Sequence, residues 1–230
     1  MTARQVIIPP TPSDTIGPEA PGPDATGRHP PSRSLRQQMR HNRRQLSIFQ
    51  QHHAARRLYR RISRRDLFHG ARHIAFYLAN DGEISTRPLL QHAWRLGKIC
   101  YLPVMHPLQP GRLLFVKVDP ATRLYRNRWG IYQPRLQTAL IRHPEQLDLV
   151  IVPLVAFDEQ GGRVGMGKGY YDRCFDFRRE RVGKPFLLGV AHEEQKVAGV
   201  IQPAPWDVLM DAVATPSAWY QCRPAFKPGG

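Results

Sequence analysis

Acidic residues are scarce in this chain, with 18 Asp and Glu against 34 Lys and Arg and a formal charge of +16 over 230 residues. Cysteine is scarcer still. Cys100, Cys174 and Cys222 are odd in number, far apart and in no C-x-x-C spacing, which excludes a disulfide framework and a zinc site and suits a reducing compartment. No apolar run approaches the roughly 20 residues of a membrane span; stretches such as Leu149 to Phe157 fall far short, and the N-terminus lacks a secretory apolar core. The expectation is a cytoplasmic protein that does not enter a membrane. The ten histidines show no metal-binding spacing, and no Ser-His-Asp or Cys-His arrangement suggests a nucleophile. An internal repeat is also missing.

What is present begins with the placement of the positive charge. Residues 1–80 carry 14 arginines and 4 acids, a net of +10, so most of the excess precedes the segment richest in chemistry. Two readings fit this run: a solvated arginine face on helices, or a surface for weak association with RNA or another polyanion.

At 41% hydrophobic residues the chain can bury one real core. Residues 1–31 hold eight prolines and little periodic apolar content, a composition that does not repay the entropy of folding and predicts a disordered tail. One α/β catalytic domain is expected over residues 32–222, with a flexible end at 223–230, and a monomer is expected over an oligomer. From Ser32 the pattern turns helical, with Leu35, Met39 and Leu46 near one face. Ser47 and Gln50 have capping-box spacing and predict a second helix carrying Ala54, Ala55, Leu58 and Ile62 on its apolar stripe. Beyond Gly70 the signals alternate. His73 to Ala79 reads as a buried strand, Arg87 to Leu96 as a helix with Pro88 in its first turn, and Ile99 to Val104 as a strand. Strands are also predicted at Leu113 to Val118, Leu147 to Val152, Phe186 to Ala191 and Ala212 to Thr215, with a loop over Trp129 to Pro134 and a helix over Tyr170 to Arg179. This alternation predicts an α/β fold, a three-layer α/β/α arrangement with a largely parallel sheet, preceded by arginine-rich helices.

The most informative segment lies between the 147–152 strand and the Tyr170 helix. Five of the nine residues from Gly161 to Gly169 are glycine, and such a loop can turn its backbone N–H groups around an anion ahead of a helix start. Gly162-x-x-x-x-Gly167-Lys168 matches the opening of a P-loop, yet Gly169 stands where the Mg²⁺-binding hydroxyl belongs. Gly165-x-Gly167-x-Gly169 misses the dinucleotide spacing. A glycine turn without any ligand is the bland alternative.

The string Val155-Ala-Phe-Asp158, then Gly162-Arg163-Val-Gly-Met-Gly-Lys-Gly-Tyr-Tyr-Asp172, resembles the signature of the 5-formyltetrahydrofolate cyclo-ligase family. The likeness extends to Arg33-Ser-Leu-Arg36, to Asp81-Gly-Glu-Ile84 with Thr86-Arg-Pro88, to Leu188-Gly-Val-Ala-His192-Glu-Glu-Gln195, and to Trp206-Asp207 with Asp211 and Thr215-Pro216, covering about residues 33 to 219 in the family's order. It implies ATP- and Mg²⁺-dependent closure of 5-formyltetrahydrofolate, free or polyglutamylated, to 5,10-methenyltetrahydrofolate, with release of ADP and phosphate. By resemblance, Arg33, Ser34, Leu35, Arg36, Arg163, Val164, Gly165, Met166, Gly167, Lys168, Gly169, Tyr170 and Tyr171 contact ATP. Arg36, Leu78, Glu83, Met166, Gly167, Lys168, Gly169 and Tyr170 contact the folate, and Asp172 and Asp207 hold Mg²⁺. Two positions depart from the family pattern: Ser32 stands where a lysine is frequent, and His192 where many relatives carry an aromatic.

The residue types suit that chemistry. Phosphoryl transfer spreads negative charge over oxygens, which cations and backbone donors stabilise, making Lys168 and Arg163 the catalytic candidates. Mg²⁺ takes one or two protein carboxylates and fills its shell with water and phosphate. Each candidate also has a structural alternative. Lys168 could be a solvated loop lysine, Asp172 a first-turn helix acid, Asp207 a loop acid or cap, Glu83 a first-turn acid, and Leu78 and Tyr170 ordinary core.

Overall fold

The structure is a computed structural model that describes residues 33–127, 129–179 and 183–222. The expected tail at 1–31, Ser32 and the flexible end at 223–230 lie outside the described residues.

Three helices come first: α1 (Arg33–Gln45), α2 (Ile48–Ser63) and α3 (Asp66–Gly70). The capping box between α1 and α2 forms as its spacing predicts: Gln50 N donates to Ser47 Oγ at 3.3 Å and Ser47 N to Gln50 Oε1 at 2.8 Å. Leu46 lies just past the end of α1, while Leu35 and Met39 pack inward. β1 (His73–Ala75) is followed by α4 (Arg87–Arg95), β2 (Ile99–Met105), β3 (Leu113–Val118), the hairpin β4 (Leu124–Arg126) and β5 (Tyr132–Pro134), and β6 (Ile141–Arg142). Then come β7 (Leu149–Pro153), the hairpin β8 (Ala156–Phe157) and β9 (Arg163–Val164), α5 (Tyr170–Cys174), β10 (Phe186–Val190), β11 (Ala212–Ala214) and β12 (Trp219–Gln221).

Eight strands form one sheet in the order β12-β11-β10-β7-β1-β2-β3-β6. The five central strands from β11 to β2 are parallel, and β12, β3 and β6 add antiparallel edges. The side chains of β7 alternate between two buried faces: Leu149 and Ile151 join a cluster with Leu58 and Ile62 of α2 and Leu89 and Leu90 of α4, while Val150 and Val152 join Phe175, Val208 and Met210. Both faces are therefore covered, which is why β7 reads as a continuous apolar run.

Three predicted elements need correction. The strand beginning at His73 ends at Ala75: Phe76 N still donates to Tyr101 O of β2 at 2.9 Å, but Tyr77 and Leu78 leave the ladder even though Tyr77 stays buried. Tyr77 Oη donates to Ile84 O at 2.6 Å and Thr86 Oγ1 to Tyr77 O at 2.7 Å, so side chains satisfy the turn instead. The Trp129 to Pro134 loop contains β5, paired to β4 around a turn with Gly130 at φ 73°. The helix over Tyr170 to Arg179 stops at Cys174 and resumes as a 3₁₀ turn, Asp176–Arg178. There Arg178 is drawn into the interior, where it forks onto both oxygens of buried Asp211 at 2.8 Å.

Among the described residues no helix is long and apolar enough to cross a membrane. Cys100, Cys174 and Cys222 are free thiols.

Candidate active site

The carboxyl ends of parallel strands are where an α/β sheet gathers ligand groups. Three such ends converge here: the 80–83 turn beyond β1, the β8–β9 hairpin beyond β7, and His192 beyond β10. Asp158 closes the hairpin from inside. Its Oδ1 accepts from the N–H of Gln160 and Gly162, and its Oδ2 from the N–H of Ile201 at 2.6 Å. The chain then leaves β9 into the glycine loop.

Positive φ angles at Gly167 (86°) and Gly169 (59°) shape that loop, a conformation that side chains with a Cβ rarely adopt. Among the described residues no acceptor engages the amide N–H groups of 165–169. α5 is only five residues long, so the helix-start field expected from the sequence is small, and the anion-binding capacity rests on loop amides and side-chain cations. Arg36 reaches across from α1 to donate to Gly165 O at 3.1 Å. Arg173 braces the loop from below, donating to Lys168 O and to Gly111 O. Lys168 itself is exposed, with Nζ 3.8 Å from the centre of the Trp129 ring.

The loop forms one wall of a cavity of about 350 Å³. Arg36, Arg163, Lys168, Arg173 and Arg179 line it together with Asp172, Asp176 and Asp207, five cations against three carboxylates, the balance that suits a polyanion accompanied by a metal ion. Arg163 Nη2 donates to Asp172 Oδ1 at 2.5 Å, and Val208 N donates to the same oxygen at 3.1 Å. Asp207 Oδ2 accepts from Ala204 N at 2.8 Å. Burial raises the Asp207 carboxyl above its ordinary range and the nearby Asp172 charge raises it further, against the N–H of Ala204. Asp172 Oδ2 and Asp207 Oδ1 have no donor among the described residues. Two carboxylates at one cavity, each with an oxygen to spare, fit a divalent cation held mainly by water and phosphate.

Glu83 is a further, largely buried acid whose charge acts on Tyr171 at the end of the loop. It is no helix acid, because α4 begins four residues later. It sits at the end of a turn in which Asp81 (φ 53°) and Gly82 (φ 75°) are left-handed, and its Oε2 accepts from Asn80 N at 3.0 Å. Burial pushes the Glu83 carboxyl up to about 7, against the opposing pull of Arg43 and the N–H of Asn80. Burial also pushes the Tyr171 phenol well up; the Glu83 charge raises it further and the Arg163 charge opposes the rise. Tyr170 donates to Met105 Sδ at 3.3 Å, and Leu78 packs against the core. Arg33 and Ser34 are exposed on α1, Met166 is half-exposed, and Leu35 packs on Val155, Ala156, Val164 and Ile201 beneath the loop.

Arg43 is the residue that sequence reasoning missed. It is fully buried, with Nη2 2.9 Å from Asp81 Oδ2, Nε 2.8 Å from Asp81 O and Nη1 3.4 Å from Leu154 O. Arg40 and Arg44 also pair with Asp81. These hydrogen bonds outweigh burial and hold the Asp81 carboxyl below its usual range. The only signal was the i, i+3, i+7 spacing of Arg36, Met39 and Arg43, which an arginine-rich helix obscures. Arg173 and Arg179 were likewise not singled out.

These features define an α/β protein with a glycine loop, clustered cations and a pair of carboxylates at the carboxyl edge of its sheet. The family model of the 5-formyltetrahydrofolate cyclo-ligase family matches residues 28–216, and the chain belongs to that family. It is similar to the 5-formyltetrahydrofolate cyclo-ligase of Escherichia coli (strain K12), 42% identical over 144 residues, 63% of this chain and 78% of that one. To the Haemophilus influenzae cyclo-ligase it is 36% identical over 174 residues, 76% of this chain and 91% of that one. The NMR structure of Aquifex aeolicus 5,10-methenyltetrahydrofolate synthetase superposes with a TM-score of 0.70 at 28% identity, covering 86% of this chain and 95% of that one.

Proposed function

We propose that this chain closes 5-formyltetrahydrofolate to 5,10-methenyltetrahydrofolate at the expense of ATP. The formyl oxygen attacks the γ-phosphorus and ADP leaves. N10 then adds to the same carbon, its proton departs, and the C–O bond breaks to release orthophosphate carrying the former formyl oxygen. The observation that carries this reading, beside family membership, is the meeting of the glycine loop, five cations and the Asp172–Asp207 pair in one cavity.

In this reading the 165–169 amides and Arg36 take the triphosphate. Arg163, already oriented by Asp172, and Lys168, free to swing off the Trp129 ring, act on the transferring phosphoryl group. A Mg²⁺ ion bound through Asp172 and Asp207 would neutralise phosphate-oxygen charge. Glu83 accepts hydrogen bonds from the N–H and amino groups of the pterin, with Arg36, Met166, Tyr170 and Leu78 on the folate side.

Mixing purified protein with 5-formyltetrahydrofolate and Mg-ATP, and following the methenyl product by absorbance, tests the proposal. Product should appear only when ATP and a divalent ion are both present. Ring closure undiminished in excess chelator would remove the metal assignment, and no product under any condition would remove the activity.

A further inference from the structure

From Arg36 to Arg65 the chain has ten arginines and no Asp or Glu, and the folded structure sorts them by use. Arg36, Arg40, Arg43 and Arg44 face the glycine loop or Asp81. Arg61 donates to Ser217 O at 2.5 Å, and Arg65 lies 4.3 Å over the Trp219 ring. Arg56, Arg57, Arg60 and Arg64 remain, all exposed, and their side chains make no hydrogen bond or ion pair with any described residue.

Geometry aligns these four. Positions 56 and 60, and Arg64 at the C-cap of α2, succeed one another at about 6 Å steps along one side, and 57 borders them, because residues three and four apart are neighbours on a helix. Like charges at that spacing oppose the helix that carries them. Neither Asp nor Glu interrupts the row, as a face built only for solvation would ordinarily have. On the same side toward the helix start, His53 one turn and Phe49 two turns before Arg56, the Phe49 and His53 rings stack with centroids 6.4 Å apart and planes 11° apart, and Phe49 is 79% exposed.

A membrane surface fits poorly, because interfacial helices insert an apolar face. The apolar face of α2, Ala54, Ala55, Leu58 and Ile62, is buried, leaving only Ile48 and Phe49 at one end. A regularly spaced row of guanidinium groups suits a repeating phosphate backbone, and an exposed ring beside it suits an unpaired base. We propose that the exposed face of α2 docks single-stranded nucleic acid without sequence preference, with Arg56, Arg57, Arg60 and Arg64 on phosphates and Phe49 stacking on a base. The surface is separate from the glycine-loop cavity, so the proposal stands independently of the catalytic reading.

The test is fluorescence anisotropy of the full chain with a labelled 20-nucleotide RNA across a salt series, with matched duplex RNA and anionic phosphatidylserine vesicles alongside. Four phosphate contacts predict a salt slope near −3, at about 0.7 per contact on a single strand. Arg56→Glu/Arg60→Glu/Arg64→Glu should weaken binding by at least about 30-fold and flatten the slope by about 2. Phe49→Ala should weaken the single strand by about fivefold or more and leave the duplex unchanged. A control with the same charge change, Lys117→Glu/Arg123→Glu/Arg135→Glu, should stay within about threefold of wild type. Melts and ring closure should be unaffected by the α2 variants. If the triple variant unfolds, Arg56→Gln/Arg60→Gln should still flatten the slope by roughly 1.4. Equal losses in both triple variants, preference for duplex or binding to vesicles alone would overturn the proposal.

Discussion

Burial and the nearby Asp81 charge push the Glu83 carboxyl up to about 7, while Arg43 and the Asn80 N–H pull against them. The unfolded chain releases this proton near 4.5 and the folded one near 7, so between those values the folded state binds more protons. The associated stability is full below 4.5 and lost as pH rises through 7. Glu83→Gln stays neutral throughout. Its melting temperature relative to wild type should therefore rise by several degrees from pH 5 to pH 8, on the order of 2 kcal/mol in all. If Glu83 accepts pterin N–H groups, it must do so as a carboxylate, so folate affinity in wild type should tighten over the same interval. In Glu83→Gln it should be weaker by about 10-fold or more and flat with pH, as titration calorimetry would show. A wild-type profile as flat as the variant's would separate Glu83 from the folate. Lys168 gives a contrasting case. Its side chain is exposed and its ammonium rests on an exposed ring, so Lys168→Ala should leave melts unchanged within about 0.5 kcal/mol and folate binding nearly intact. It should lower kcat by about 100-fold, the low end for removal of one preorganised donor, because Arg163 shares the charge. Steady-state kinetics with both substrates varied would reveal it, and an unchanged kcat would return Lys168 to the solvent.

At the scale of elements, α1 does more than its amphipathic pattern suggests. One helix sends Arg36 to the glycine loop, Leu35 beneath it, and Arg43 to both the 80–83 turn and the carbonyl that ends β7. Removing residues 1–31 should leave catalysis and melting nearly intact, whereas continuing through Arg36 should raise the KM for ATP. Arg43→Met should be harsher, since it strands Asp81 and Glu83 with less compensation. A loss of about 3 kcal/mol in denaturant unfolding is expected, a typical result of deleting one partner of a buried pair. A variant as stable as wild type would mean that Arg40 and Arg44 neutralise the turn alone. The sequence made the elements legible where pattern and capping agree, as at Ser47, Pro88 and the apolar run of β7. It was opaque where tertiary contacts replace local ones. Tyr77 and Thr86 end β1 early by satisfying the backbone themselves, Asp211 pulls Arg178 inward and breaks the expected helix, and a buried Arg43 looks like its solvated neighbours until Asp81 is brought beneath it.

In the molecule as a whole, residues far apart in the chain become one site only because parallel strands deliver their carboxyl ends to one edge. Arg36 and Gly165 are 129 positions apart, and Asp172 and Val208 are 36 apart. The glycine-loop motif and the two aspartates were readable one by one. Their convergence with Arg173 and Arg179 was not, because no local pattern encodes which loops share an edge. This architecture implies that ligand binding is linked to global stability. A ligand that spans the loop from 165 to 169, Arg36 of α1 and the Asp172–Asp207 pair ties together β8–β9, α5 and the 201–211 segment, all of which must be folded for the cavity to exist. At 100 times its dissociation constant such a ligand adds about 2.7 kcal/mol, or about 5–10 °C in melting temperature for a domain of this size. Mg-ATP should produce that shift. ATP in excess chelator should produce less than half of it, because five cations remain to attract the triphosphate while the carboxylates repel it unscreened. Asp207→Asn should bring the two conditions together, removing one repelling charge and one proposed metal ligand at once. Differential scanning calorimetry with and without Mg²⁺ decides the matter without any turnover. An Asp207→Asn protein that kept the full Mg²⁺-dependent increment would place the ion elsewhere in the cavity.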